Sequence, residues 1–219
     1  MTFSIAGRCA RTGMLGAVVT TSGIAVGSRC AYVEAGVGAA LTQHRTDPRL
    51  GPLLLAGLKS GRTPETIVKE LEAHDKDLKW RQLAVLAADG RGAFFNGSRI
   101  TSIHKGRIGE DCVAVGNIVR RTEVVDAMVE TFEANEKEPL AERLLRAIEA
   151  GHSAGSEFKQ IKSAALVVAH KESFPYVDLR VDLSSAPLAE LRFLWELYQP
   201  MAEDYVVRAV DPDRAAPPL

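Results

Sequence analysis

Threonine is the second residue of this chain, and its chemistry depends on the fate of Met1. A small second side chain allows removal of an initiator methionine, and removal gives Thr2 a free α-amino group. An α-amino group titrates near pH ~8, so it can accept the proton of the adjacent hydroxyl as that hydroxyl attacks a carbonyl carbon. Thr2 is therefore a candidate N-terminal nucleophile. Many chains begin Met-Thr without this role, so Thr2 alone does not establish the chemistry.

Two further residues are candidate catalytic partners of Thr2. Asn117 follows Gly116 at the end of a short apolar run, where an amide side chain and backbone N–H groups can bind a developing oxyanion. Thr21 precedes a glycine-containing stretch, and its hydroxyl can bond the Thr2 amine. The competing interpretations are structural: Gly-Asn is also a turn dipeptide, and threonine also stabilises turns.

Charge and composition narrow the possible partners. The 27 Lys and Arg residues balance 28 Asp and Glu residues and are scattered, which argues against a nucleic-acid or membrane surface. Three distant cysteines, with neither Cys-x-x-Cys nor clustered histidines, argue against disulfides and metal sites and predict reduced, buried thiols. We expect no metal or cofactor. Without a leader or an apolar run of ~20 residues, we expect a cytoplasmic protein.

Periodicity predicts strands interrupted by pairs of helices. Helical spacing of apolar residues and proline or threonine start signals predict helices at 50–59, from 64, 123–133, 139–149 and 187–200. Short apolar or alternating runs bounded by glycine predict strands at 3–6, 15–20, 31–34, 37–42, 83–87, 93–96, 112–115, 164–169 and 177–183. The helices at 123–133 and 139–149 should pack side by side on one face.

Runs of neighbouring strands between helix pairs favour an α+β fold with antiparallel sheets over a doubly wound parallel sheet. A four-layer αββα sandwich of two antiparallel sheets fits this order, and a two-layer α+β fold remains open. We expect one domain over residues 1–210 and a disordered tail over 211–219. A large apolar stripe on the last helix suggests a homo-oligomer, although ordinary core packing would also explain it. Its residues are Leu188, Leu191, Leu194, Trp195 and Tyr198.

Several segments form a recognisable set: Thr2-Phe3-Ser4-Ile5-Ala6, Gly16-Ala17-Val18-Val19 through Ala25-Val26-Gly27, Ala35-Gly36-Val37-Gly38-Ala39 with Thr42-Gln43, Asp47-Pro48-Arg49-Leu50-Gly51 and Gly116-Asn117. Together they resemble a bacterial family, domain of unknown function 1028, which is grouped with N-terminal-nucleophile (Ntn) hydrolases. The resemblance covers nearly the whole chain. It implies the αββα fold, Thr2 as nucleophile and hydrolysis of an amide bond.

The candidate substrate-binding residues are Gln43, His44 and Asp47. Gln43 and His44 follow a predicted strand and can reach the same cleft as Thr2. Asp47 stands where asparagine is frequent in the family that the chain resembles, so amide donation at that position would be altered. The sequence thus predicts an N-terminal-threonine amidohydrolase that cleaves a small amide or peptide through an acyl-enzyme. The alternative is a non-catalytic ligand-binding or assembly protein of the same fold that retains Met1.

Overall fold

Short strands and amphipathic helices alternate along the chain in the computed structural model, which describes residues 1–215. The ten strands of this range are β1 Thr2–Arg8, β2 Leu15–Thr21, β3 Ala31–Glu34, β4 Gly38–Gln43, β5 Gln82–Ala87, β6 Gly92–Asn96, β7 His104–Gly109, β8 Cys112–Asn117, β9 Ser163–Ala169 and β10 Val177–Val181. The six α-helices are α1 Leu50–Lys59, α2 Pro64–His74, α3 Glu123–Ala134, α4 Leu140–Ser153, α5 Pro187–Tyr198 and α6 Ala202–Val210.

The strands form two antiparallel sheets, which confirms the predicted α+β class. The larger sheet has the order β10-β9-β2-β1-β8-β7 and the smaller has the order β3-β4-β5-β6. Strand β1 lies in the middle of the larger sheet, and its register sets Phe3 opposite Thr20 and Thr2 opposite Asn117. Because both faces of β1 are covered, its residues from Thr2 to Gly7 are buried regardless of polarity.

Helices α3 and α4 pack side by side, as predicted, against β1, β2 and β8 of the larger sheet. Phe3 and Ile5 contribute to this core. Glycine in neighbouring strands permits the close approach: a Cβ on Gly7 would lie 2.5 Å from the Phe132 ring, and a Cβ on Gly16 would lie 2.8 Å from Leu144. A larger side chain at either position would push the helix pair off the sheet.

The other face of the larger sheet packs on the smaller sheet through a buried cluster of alanine, valine and leucine side chains. Ala6, Ala17, Ala39 and Ala84 are all fully buried in this cluster. Helices α1 and α2 cover the remaining face of the smaller sheet, with contacts to β3, β4, β5 and β6. The face of β1 that carries Thr2, Ser4 and Ala6 therefore looks toward the smaller sheet.

The last helices differ from the sequence prediction. Leu188, Leu191 and Trp195 of α5 are buried in the core, so the apolar stripe is not an exposed surface; Phe193 and Leu197 are the exposed apolar residues. The chain continues past Pro200 through a 3₁₀ turn into α6, which periodicity did not predict.

The predictions for the carboxyl-terminal tail and for the three cysteines can also be compared with the structure. Residues 211–215 of the predicted tail include a 3₁₀ turn at Pro212–Arg214, whereas 216–219 lie outside the described residues. The three cysteines are buried, unpaired thiols, as predicted. Over residues 1–215, none of the helices combines the length and hydropathy needed to cross a membrane.

Candidate functional site

Thr2 begins the central strand β1 and is 6% exposed. Its Oγ1 is 3.2 Å from the Oγ1 of Thr21, which ends the adjacent strand β2. Both hydroxyls donate to the carbonyl oxygen of Met1. Directly opposite residues of an antiparallel pair share a face, so Asn117 projects to the same side as Thr2. The structure therefore brings the three sequence-predicted catalytic residues together.

A surface cleft of about 430 Å³ lies next to these residues. Met1 itself is part of its lining and is half-buried. The remaining lining residues are His44, Arg45, Trp80, Arg99, Thr101 and Ile118. The guanidinium of Arg45 stacks on the Trp80 ring at 4.2 Å from the ring centroid. Removal of Met1 would extend this cleft to Thr2.

Gln82, which the sequence analysis did not identify, connects the two sheets beneath Thr2. Its Nε2 donates to the carbonyl oxygen of Gly116 at 2.9 Å and to that of Lys105 at 3.2 Å. Backbone carbonyls only accept hydrogen bonds, so these contacts fix which end of the amide is nitrogen. Gln82 Oε1 must then serve as an acceptor.

Two buried amides donate to that oxygen. Gln43 Nε2 lies 2.6 Å and Asn117 Nδ2 lies 3.0 Å from Gln82 Oε1. The orientation of Asn117 follows, and its Oδ1 has no hydrogen-bond partner among residues 1–215 although it is buried. A buried amide oxygen without a donor is costly, so it is suited to accept a hydrogen bond from a group that arrives in the site. This orientation favours an acceptor role for the Asn117 side chain over the predicted oxyanion-donor role.

Gln43 is an internal residue that positions the nucleophile's strand. It is fully buried, its Nε2 also lies 3.3 Å from the Thr2 carbonyl oxygen, and its Oε1 accepts from Ser4 Oγ at 2.8 Å. Each of these hydrogen bonds of the Gln43 amide joins it to another group of the protein. The predicted contact between Gln43 and a substrate is therefore replaced by a structural link between β4 and β1.

His44 reaches the cleft, as predicted. It has a left-handed backbone with φ 56°, and its Nδ1 is 2.7 Å from the Trp80 carbonyl oxygen. Because that oxygen can only accept a hydrogen bond, Nδ1 carries a proton. His44 therefore remains a substrate-binding candidate at the rim.

Asp47 lies away from the cleft lining, in contrast to its predicted substrate-binding role. Its carboxylate accepts from Arg49 Nε at 2.9 Å and from Arg49 Nη2 at 2.7 Å. These hydrogen bonds, helped by the charge of Arg81, lower the pKa of Asp47 to about 2. A carboxylate committed to a bidentate arginine contact has little capacity left for a ligand.

Glu157 is a second residue that the sequence analysis missed. An isolated bridge between Val119 and Glu157 holds it just past the end of β8, and only 1% of it is exposed. Its Oε2 accepts from the Ser22 N–H at 3.1 Å, while its Oε1 has no partner within the part of the chain that the structure describes. Burial raises the pKa of Glu157 to about 7, against the opposing influence of the Met1 amino group.

The amino group of Met1 is partly buried, and Glu157 and Cys30 are the acidic groups whose charges act on its pKa. Burial lowers the pKa of this amino group, and the nearby charge of Glu157 acts in the opposite direction. Burial also raises the pKa of Cys30, so its thiol stays neutral. In residues 1–215, no three histidine, cysteine or acidic side chains come together to form a metal site.

Comparison with known proteins identifies the family. A crystal structure of protein SPO2555 from Silicibacter pomeroyi, described as family-model DUF1028, is 29% identical in sequence, with a TM-score of 0.84. The similarity covers 90% of this chain and 89% of that chain. No curated protein matches the chain. The model of the family of unknown function DUF1028 matches residues 2–191, and the chain belongs to that family.

Proposed function

We propose that this chain is an Ntn hydrolase with the four-layer αββα sandwich, in which Thr2 hydrolyses a small amide or peptide after Met1 is removed. The observation that carries the proposal is the position of Thr2 at the start of the central strand, below a cleft and 3.2 Å from the Thr21 hydroxyl. Helix pairs on the outer faces of two packed sheets support the fold assignment.

The proposed reaction has two balanced halves. Thr2 Oγ1 bonds to the carbonyl carbon, the C=O electron pair moves to oxygen, and the hydroxyl proton passes to the Thr2 amine. Collapse of the tetrahedral intermediate breaks the C–N bond of the substrate, and the leaving nitrogen takes the proton from the Thr2 ammonium group. Water then adds to the ester and gives a proton to the amine. Cleavage of the C–Oγ1 bond returns this proton to Thr2 and releases the acid.

Burial supports the amine as base. The Met1 amino group already has a lowered pKa because it is buried, and the Thr2 nitrogen lies one residue further inside. A lowered pKa keeps the amine neutral and able to accept a proton at neutral pH. When the amine takes up a proton, it becomes an ammonium group that needs a hydrogen-bond acceptor. We assign this role to Asn117 Oδ1, which has no partner among residues 1–215.

Thr21 is assigned to the carbonyl oxygen. Its hydroxyl donates to the oxygen of Met1, whose carbonyl carbon is bonded to the Thr2 nitrogen. A donor at this position would stabilise the negative charge that develops on a substrate carbonyl during attack. The hydrogen bond from Thr21 to the Thr2 amine that the sequence predicts requires a free amine, so it stays a prediction for the processed protein.

The alternative is a non-catalytic protein of the same fold that retains Met1. It is favoured by the two hydroxyl contacts to the Met1 carbonyl, which occupy Thr2 and Thr21 when Met1 is present. In that state the Thr2 nitrogen is an amide and cannot act as a base. Intact mass separates the two, because the hydrolase requires loss of one methionine.

Activity tests the hydrolase directly. Wild-type protein with a confirmed Thr2 terminus is assayed on a panel of small amides and peptides beside Thr2→Ala and Thr2→Ser. Loss of the nucleophile should reduce kcat by several orders of magnitude, whereas Thr2→Ser should keep part of the activity. Equal turnover by wild type and Thr2→Ala would refute the assignment.

A further inference from the structure

Met1 marks the position of an acyl group in the site. Its carbonyl carbon is bonded to the Thr2 nitrogen, and its carbonyl oxygen accepts hydrogen bonds from the Thr2 and Thr21 hydroxyls. The nitrogen and Oγ1 of one threonine are close enough for an acyl group to bond to either atom through a five-membered ring. An acyl group esterified to Thr2 Oγ1 therefore occupies nearly the same space as Met1.

Glu157 is the one carboxyl group whose charge acts on the pKa of the half-buried Met1 amino group. Glu157 is 1% exposed and carries Oε1 without a hydrogen-bond partner in the described chain. The other titratable groups that act on the Met1 amino group are Cys30, a neutral buried thiol, and Lys159, which is exposed. Glu157 is therefore the buried acceptor available to an amino group on the acyl residue.

The hydrogen-bonding pattern of Glu157 specifies a donor. Its Oε2 is already bound to the Ser22 N–H, and Ser22 follows the site residue Thr21. A carboxylate only accepts hydrogen bonds, and burying its charge is unfavourable unless a cation neutralises it. An ammonium group that reaches Oε1 meets both requirements. The Met1 amino group, which the peptide bond to Thr2 holds in place, does not reach it, and Oε1 stays unpaired while Met1 is present.

The rim of the cleft restricts the side chain of the same residue. Arg45 lies over the Trp80 ring at 4.2 Å and Arg99 lies at 5.9 Å, so two guanidinium groups flank the aromatic face. Positive side chains would be repelled there, while Trp80 and Ile118 offer apolar contact. Met1 itself satisfies this pattern.

We propose that the site takes an α-aminoacyl group, the free N-terminal residue of a peptide or an amino-acid amide, whose ammonium is paired with Glu157. The residue preferred is uncharged and apolar, such as methionine. This inference deepens the proposed function and rests on it. It assigns Glu157 to substrate selection, because the residue would bind the acyl part of the substrate without touching the scissile bond.

Binding to an inactive variant tests ammonium recognition without catalysis. Thr2→Ala protein with Met1 removal confirmed by mass is titrated calorimetrically with L-methioninamide and with 4-(methylthio)butanamide, which is the same amide without the amino group. We expect methioninamide to bind at least about tenfold more tightly, as one charge-assisted hydrogen bond allows. Equal affinities, or no saturable binding of methioninamide, would overturn the inference.

Glu157→Gln in the same background should abolish that preference. Glu65→Gln, a matched change of an exposed glutamate on α2, should leave it intact. Preference that survives Glu157→Gln would assign the ammonium to another group and contradict the proposal. Because the comparison of the two ligands is made first with Glu157 present, misfolding of the variant would not remove the test.

Turnover separates failure of this inference from failure of the hydrolase. Thr2-dependent hydrolysis of both amides with equal kcat/KM would refute ammonium recognition and retain the hydrolase. Ammonium-selective binding with no Thr2-dependent turnover would retain the recognition site and refute the hydrolase.

Discussion

Replacing Gln82 with leucine should destabilise the fold, because this one amide orders the polar groups between the sheets. In the variant, Asn117 Nδ2 loses its acceptor at 3.0 Å, and Gln43 Nε2 keeps only its 3.3 Å contact with the Thr2 carbonyl oxygen. Each unsatisfied buried group costs about 1–3 kcal/mol, so two amides predict a loss of about 2–6 kcal/mol. This is a large share of the roughly 5–15 kcal/mol that stabilises a typical domain.

Urea unfolding measures this loss. With a slope of roughly 2 kcal/mol per molar urea, the midpoint should fall by about 1–3 M. Gln160→Leu is the matched control, because Gln160 is exposed and its Nε2 makes one bond, to the Ser185 carbonyl oxygen. That variant should stay within about 0.5 kcal/mol of wild type. A change in Gln82→Leu no larger than in the control would refute the network as described.

Three further predictions concern the nucleophile's partners and the surface. Thr21→Val should lower kcat on an identified substrate by about 10²–10³ through loss of the carbonyl donor, while Thr21→Ser keeps most activity; equal rates would remove Thr21 from the mechanism. Burial raises the pKa of Glu157 to about 7, so folded protein holds an extra proton between the ordinary glutamate pKa and pH 7. The stability that this group contributes is therefore present below that window and is lost as pH rises through 7, by about 1–3 kcal/mol. Urea titrations at pH 5 and pH 8 should show a smaller fall in the free energy of unfolding for Glu157→Gln than for wild type. A parallel pH dependence in both proteins would contradict this. We also expect a homo-oligomer, with Phe193 and Leu197 as exposed apolar contacts on α5, and light scattering that shows a monomer at micromolar concentration would oppose it.

Sequence patterns predicted the parts of the fold where burial and periodicity agree. Phe3 and Ile5 alternate toward one core, and α3 and α4 show one-sided apolar stripes. Strand β7 gave no such signal, because Gly106 and Gly109 interrupt it and its charged residues are satisfied by α3. In the structure, Lys105 binds Asp126 at 2.7 Å and Arg107 binds Glu130 at 2.8 Å. These partners are distant in sequence and cannot be read from a local pattern.

The site was predictable only in part for a similar reason. Thr2, Thr21 and Asn117 stand at the ends of three neighbouring inner strands, which antiparallel pairing brings together at one end of the larger sheet. Gln82 begins β5 opposite Gln43, and a polar residue at the start of an apolar strand is the local pattern that marks it. Glu157 follows α4 in a polar loop, and tertiary contacts place it near Thr21: the bridge to Val119 and the hydrogen bond from the Ser22 N–H.

The most direct test of Thr2 as an N-terminal nucleophile is covalent capture. Protein with a confirmed Thr2 terminus is treated with a β-lactone, which acylates an activated hydroxyl, and the adduct is located by peptide mass spectrometry. Thr2→Ala and protein that retains Met1 are treated in parallel. The account predicts one acyl adduct on the N-terminal Thr2 peptide of the processed protein and none at that position in the two controls. Adduct formation elsewhere only, or equal labelling of the N-terminal peptide when Met1 is retained, would contradict the central claim.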